Sequence, residues 1–263
     1  MARQPPMRPQ IICFGDSITQ FGFRPNGWLC LLAERYERFA DVINRGYSGY
    51  NTRWALPLAP LAFPRASGAH AAPPALSVIM LGANDAALPD GTAAPQAVPL
   101  DEYKANLGAI VECAVAAGGP VVLLTPPPVD TERRRADSES TPKREDRSDA
   151  AAAAYGKAVL EVGAGAGVPV VDVGGAMRAQ PPGWGARLLC DGLHLSDDGN
   201  RMLFETVADF IATRTDLGAG VAGTEGDGGL PRDAPDWKDV SASGPRWREV
   251  LDGHVRWAPR TAS

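Results

Sequence analysis

Five short apolar runs, separated by longer stretches with helical spacing, limit this chain more than any other feature. They are Gln10–Phe14, Asp41–Arg45, Leu76–Leu81, Val121–Thr125 and Val168–Val173. A strand with one wet face alternates apolar and polar residues, whereas these runs are nearly continuous, as expected when helices cover both faces of a sheet. Their alternation with helical segments argues for parallel βαβ units. Helices are expected over Gly27–Phe39 with Asn26 as cap, from about Leu100 to Ala117 before Gly118-Gly119, and over Ser148–Val162. A last one should start at Ser196 or Asp197 and run through Arg214, with Met202, Leu203, Val207, Phe210 and Ile211 as its apolar stripe.

Two stretches break this rhythm. Residues 131–147 are polar and highly charged, and their Arg133-Arg134-Arg135 run is diluted by Asp137, Glu139, Glu145 and Asp146. They are read as an exposed, solvated loop between the fourth strand and its helix. Residues 217–236 are glycine-rich and read as a flexible linker. The chain therefore divides into a main domain, 1–216, this linker, and a tail segment, 237–263. The tail carries Trp237, Trp247, Val250, Leu251 and Trp257, so it is expected to dock on the domain or on a second subunit of a homo-oligomer.

Composition narrows the partners. With a net charge of −5 and no dense Lys/Arg stripe, the chain lacks what neutralises phosphates, so no nucleic-acid partner is expected. The apolar stretch Ile11–Phe14 is too short for an export signal, and no window holds the roughly 18 apolar residues of a membrane span. Cys13, Cys30, Cys113 and Cys190 form no C-x-x-C pair and are read as free buried thiols of a cytoplasmic protein.

Ligands of open parallel sheets bind beyond the carboxyl ends of the strands. The motifs fall there: Phe14-Gly15-Asp16-Ser17-Ile18-Thr19 after the first strand, Gly46-Tyr47-Ser48-Gly49-Tyr50-Asn51 after the second, and Gly82-Ala83-Asn84-Asp85 after the third. Asp191-Gly192-Leu193-His194-Leu195-Ser196 follows the fifth after a short intervening segment. Acyl transfer by a hydroxyl needs an adjacent base, and that base needs an orienting carboxylate. Among three histidines, His194 alone has a carboxylate at a matching spacing; His70 and His254 read as surface residues. Asp191 lies three residues before His194, so one helical turn can put both side chains on one side, the carboxylate accepting from one imidazole nitrogen while the other faces Ser17. Gly49, the amide of Asn84 and the Ser17 N–H are available as oxyanion donors. Asp16 and Asp85 read as loop braces. Phe21, Phe23 and Leu88 are candidate acyl-pocket walls, and Arg53 and Trp54 either line the substrate mouth or pack a helix.

These blocks, in order, resemble the signature of the GDSL/SGNH hydrolase superfamily: Gly15-Asp16-Ser17-Ile18, Gly49, Gly82-x-Asn84-Asp85 and Asp191-x-x-His194. Ile18 stands where the name motif has Leu. The stretches Asn44–Trp54, Pro126-Pro127-Pro128 and Asp191–Ser196 resemble the isoamyl acetate-hydrolysing esterase branch more specifically. The resemblance covers about residues 10–214. It implies a three-layer α/β/α sandwich on a central five-stranded parallel sheet, flavodoxin-like in form. It also implies Ser17 as nucleophile, His194 as base, Asp191 as its orienter, and an oxyanion hole of Ser17, Gly49 and Asn84.

The function expected is hydrolysis of small carboxylic esters, short-chain acyl esters such as acetates foremost, without metal or cofactor. Carbohydrate O-acetyl groups, lysophospholipids, thioesters and transfer to an alcohol are the rival reactions of the same site. A catalytically silent binding protein is the rival outside enzymes. Gly46-Tyr47-Ser48-Gly49-Tyr50 is not a G-x-S-x-G elbow, because its fifth position is Tyr. Gly163-Ala164-Gly165-Ala166-Gly167 lies after a helix and before a strand, the reverse of a dinucleotide fingerprint, and so reads as a helix terminator.

Overall fold

A computed structural model describes residues 8–64, 72–137, 146–215, 217, 237–246 and 249–250. Its five strands are β1 (Gln10–Gly15), β2 (Asp41–Gly46), β3 (Leu76–Met80), β4 (Val121–Leu124) and β5 (Val170–Val171). All neighbouring pairs are parallel, in the order β2-β1-β3-β4-β5, so the sheet reverses direction of growth at β1. Every residue of β3 and β4 is buried, which is why those runs are apolar apart from Ser77.

Side chains alternate across the sheet and so feed two cores. Ile11 and Cys13 point to one face, where Trp28, Leu29, Leu32, Leu203, Val207 and Ile211 pack. Those residues come from α1 (Trp28–Arg35) and the long C-terminal helix Asp197–Arg214. Ile12 and Phe14 point to the other face, against Leu107, Ile110 and Val111 of the helix Leu100–Ala116 and against Ala158 and Val159 of the helix Asp149–Ala166. This is the expected three-layer α/β/α sandwich. The helix Asp149–Ala166 runs past the expected end at Val162, through most of the glycine-rich stretch, and closes only on its last residue, Gly167, at φ 67°.

Several local expectations are corrected. Asn26 does not cap α1: it sits at φ 61° and donates through Nδ2 to Asp197 Oδ2, while Gly27 holds the cap position. The Trp28 N–H is satisfied instead by Asn200 Oδ1 on the distant C-terminal helix. Residues 131–147 are not one solvated loop, since Thr131–Asp137 is helical and Arg147 is only 2% exposed. The cysteines are unpaired, but Cys30 and Cys190 are exposed where buried thiols were expected.

Among the described residues no helix is long and apolar enough to cross a membrane. Apart from buried Leu217, the expected linker lies outside the described residues, as do His70, His254, Trp247, Leu251 and Trp257. Of the tail, Trp237–Ala242 forms a short helix.

Candidate active site

The residues after β1 enter a one-turn helix, Ser17–Gln20, whose first residue is Ser17. Asp16 caps it, its Oδ1 accepting from the Ile18 N–H at 2.9 Å. Close packing sets where this turn lies. A Cβ at Gly46, the last residue of β2, would come within 2.1 Å of the Gln20 nitrogen, so only glycine lets the two backbones approach. Ser17 is buried, at 6% exposure.

Asp191 and His194 come together, but not on a helical turn. Leu189 and Leu195 form an isolated antiparallel bridge, and the Cys190 N–H donates to the His194 carbonyl at 2.9 Å, closing a tight loop. Gly192 takes φ 83° at its tip, and a Cβ there would lie 2.6 Å from the Arg134 nitrogen. Inside the loop, Asp191 Oδ1 accepts from the N–H groups of Leu193 (2.9 Å) and His194 (2.7 Å). Its other oxygen, Oδ2, lies 2.7 Å from His194 Nδ1, and His194 Nε2 lies 3.0 Å from Ser17 Oγ. Hydroxyl, imidazole and carboxylate thus form one hydrogen-bonded row.

Burial by itself would raise the Asp191 pKa. The hydrogen bonds from the His194 ring, the His194 N–H and the Leu193 N–H outweigh it and hold the carboxyl well below the usual range. Arg134 Nη1 adds a further contact to Oδ2 at 3.0 Å. Asp16 and Asp85 behave oppositely. Burial pushes Asp16 up to about 7 against the bond from Ile18, and Asp85 up to about 6 against the bonds from Thr52. Both brace loops as expected, Asp85 Oδ1 taking the N–H (2.8 Å) and hydroxyl of Thr52.

Gly49 adopts φ 80°, a conformation that L side chains resist, and its carbonyl accepts from Gln96 Nε2 at 2.9 Å. The Asn84 amide donates through Nδ2 to the Tyr50 carbonyl (2.9 Å) and accepts at Oδ1 from Arg147 Nη2 (3.2 Å).

The pocket candidates separate. Phe21 stands against His194, ring centroids 5.8 Å apart, and the Arg24 guanidinium lies over the Phe21 ring at 3.6 Å from its centroid. It lines a cleft of about 340 Å³ beside His194, together with Ile18, Arg24, Cys190, Leu195 and Asn200. Phe23 is 44% exposed and does not line this cleft. Arg53 reaches Glu102 of the helix Leu100–Ala116 through Nε (2.6 Å) and Nη2 (2.8 Å), a contact between two helices. Trp54 is 40% exposed, edge-on to Tyr50. Leu88 is half-buried and donates its N–H to the Asp146 carbonyl. Among the described residues no three His, Cys, Asp or Glu side chains cluster to hold a metal ion.

The profile of the GDSL-like Lipase/Acylhydrolase family matches residues 13–202, most of the chain and all the loops just described. The chain belongs to that family. A GDSL esterase/lipase of Arabidopsis thaliana is 42% identical over 77% of this chain and 85% of its own length. The isoamyl acetate-hydrolyzing esterase 1 homolog of Rattus norvegicus is 37% identical over 93% of both chains. Among solved structures, a lipase/acylhydrolase from Enterococcus faecalis superposes with a TM-score of 0.57 at 28% identity, covering 79% of this chain and 97% of that one. This GDSL hydrolase is a carboxylic ester hydrolase, and its substrate is an ester. Three polar residues of the site carried no local signal in the sequence: Gln96, Arg134 and Arg147, each recruited by contacts across many residues of chain.

Proposed function

We propose that this hydrolase cleaves short-chain acyl esters, acetates foremost, through an acyl-enzyme on Ser17. The observation that carries the reading is the row Ser17 Oγ, His194 Nε2 at 3.0 Å, and His194 Nδ1 to Asp191 Oδ2 at 2.7 Å. With Nδ1–H donated to Asp191, Nε2 is the free base that faces the hydroxyl. Ser17 Oγ attacks the ester carbonyl carbon as its proton passes to Nε2. The carbonyl oxygen becomes an oxyanion, facing the N–H groups of Ser17 and Gly49 and the second amide hydrogen of Asn84. The intermediate collapses, the C–O bond to the alcohol breaks, and His194 returns the proton to the departing oxygen. Water then repeats the sequence on the acyl-enzyme and releases the acid.

Acetate is favoured by kinship over nearly the whole chain with isoamyl acetate-hydrolyzing esterase homologs. A p-nitrophenyl ester series of increasing acyl length, run on wild type and Ser17→Ala, tests the reading. We expect the acetyl and propionyl esters to be fastest, an acetyl mass increment on the Ser17 peptide after rapid quenching, and a loss of roughly 10³-fold or more in Ser17→Ala. Wild-type rates in a pure Ser17→Ala protein, or a rate that climbs steadily to long acyl chains, overturn it.

A further inference from the structure

Arg147 is almost wholly buried, yet it belongs to a segment whose composition suggested solvent. A buried guanidinium is strongly unfavourable unless its donors are met, and here every nitrogen has a partner. Nε donates to the Ala83 carbonyl at 2.8 Å and Nη1 to the Asp146 carbonyl at 2.9 Å. Nη2 donates to both Asn84 Oδ1 (3.2 Å) and Gln96 Oε1 (2.6 Å).

Two carboxamides therefore meet one cation, and this settles which way each points. A cation's N–H groups accept nothing, so the amide oxygens must face Arg147 and the amide nitrogens must face away. For Asn84 that sends Nδ2 toward the Tyr50 carbonyl at 2.9 Å, on the loop carrying Gly49. For Gln96 it sends Nε2 to the Gly49 carbonyl at 2.9 Å, while the Gln96 carbonyl is held by Asn51 Nδ2 at 2.9 Å. The loop after β2 and the loop after β3 are thereby referenced to a single side chain.

We propose that Arg147 is a positioning residue for the oxyanion hole: it fixes the Asn84 carboxamide directly and the Gly49 backbone through Gln96. Its neighbour Asp146 continues the link, accepting from Arg134 Nε (3.1 Å) and Nη2 (2.9 Å), and Arg134 in turn donates to Asp191. The inference rests on the reading of Gly49 and Asn84 as oxyanion donors.

The test uses the full-length chain carrying Arg147→Met, with kcat and KM for p-nitrophenyl acetate and the inhibition constant of an aryl trifluoromethyl ketone, which binds serine esterases as a tetrahedral oxyanion. Removing one oxyanion donor outright costs roughly 10²–10³-fold in kcat, and misplacing donors should cost about ten- to a hundredfold by the same principle. We expect kcat to fall in that range, KM to hold within about threefold, and ketone affinity to fall in parallel with kcat. Millimolar guanidinium should restore part of the rate by occupying the vacated site. Wild-type kcat in Arg147→Met, or a fall in kcat with ketone affinity unchanged, overturns the proposal.

Should Arg147→Met fail to fold, Gln96→Leu at the half-buried link to Gly49 takes its place, with the same parallel loss expected and an unchanged enzyme overturning it. Asn84→Ala run alongside separates the two readings. If that variant keeps full kcat, the oxyanion assignment fails and the positioning argument falls with it. If it loses activity while Arg147→Met and Gln96→Leu do not, only the positioning argument fails.

Discussion

Replacing Asp191 by Asn tests the carboxylate's role with almost no change in shape. Oδ1 accepts two backbone N–H bonds, from Leu193 at 2.9 Å and His194 at 2.7 Å, so the amide oxygen of the variant belongs there. The amide nitrogen then occupies the Oδ2 position, facing His194 Nδ1 at 2.7 Å and Arg134 Nη1 at 3.0 Å, two groups that donated to it before. Flipping the amide relieves that clash only by turning NH2 toward two backbone N–H groups, forfeiting two hydrogen bonds of about 1 kcal/mol each. The cheaper response is for the partly exposed Arg134 head to swing aside and for His194 to change tautomer, accepting at Nδ1 and carrying its proton on Nε2. An Nε2–H directed at Ser17 Oγ cannot take the serine proton. A tautomer error of this kind lowers kcat by about 10⁴-fold in serine proteases, which corresponds to about 5 kcal/mol of lost transition-state stabilisation. Steady-state hydrolysis of p-nitrophenyl acetate at neutral pH, with a melting curve to confirm folding, checks it. We expect kcat to collapse with KM little changed. A folded Asp191→Asn enzyme within about tenfold of wild type refutes the argument that this carboxylate sets the tautomer.

Two further outcomes follow from the packing around Ser17. Burial raises Asp16 to about 7, against an unfolded value of about 3.9, so the native state holds a proton that the unfolded chain releases. The stability this carboxyl contributes is therefore present at acid pH and lost as pH rises from about 4 to about 7. Asp16→Asn cannot ionise, so the stability difference between Asp16→Asn and wild type should move in the variant's favour over that window, by on the order of a few kcal/mol. Melting temperatures across pH 4 to 8 read it out, and a gap that does not change with pH is the refuting result. Gly46→Ala should destabilise by roughly 1–3 kcal/mol through overpacking and lower kcat as well, because its methyl group would displace the turn that begins at Ser17. Unchanged melting and turnover in Gly46→Ala would show that the turn yields freely.

The parts of this fold that were legible in the sequence are those whose signal is local. Strands β1 to β4 fall within a residue or two of the expected runs; burial keeps β1, β3 and β4 almost wholly apolar, whereas the edge strand β2 is only half-buried and carries Asn44 and Arg45. The fifth run shrinks to Val170–Val171 because Pro169 precedes it and Asp172 leaves the strand to cap the next helix, accepting from the Gly175 N–H. The spacing of Asp191 and His194 was informative, yet the turn that joins them owes its shape to Gly192, Asp130 and Arg134, which no local pattern reveals. The same holds for residues 131–147. A run of charges with no period looks solvated unless its distant partners are known, and here Arg134 reaches Asp191 while Arg147 reaches Ala83, Asn84 and Gln96.

The proposed oxyanion hole asks for positive potential, yet two of its loops carry aspartates, Asp16 before Ser17 and Asp85 after Asn84. Their bracing bonds use one oxygen each, and Asp85 Oδ2 is buried with no hydrogen-bond partner. A buried carboxyl oxygen without a donor is costly as an anion. Burial accordingly raises Asp85 to about 6 and Asp16 to about 7, which moderates the negative charge that would oppose the developing oxyanion. What charge remains faces Arg147, whose cation acts on both carboxyls and pulls them back toward ionisation. The same guanidinium that orients the donors thus also offsets the carboxylates that stiffen their loops. Removing its charge while keeping its bulk should therefore raise the apparent pKa of Asp16 as well as loosen Asn84, and a shape argument alone does not require that coupling.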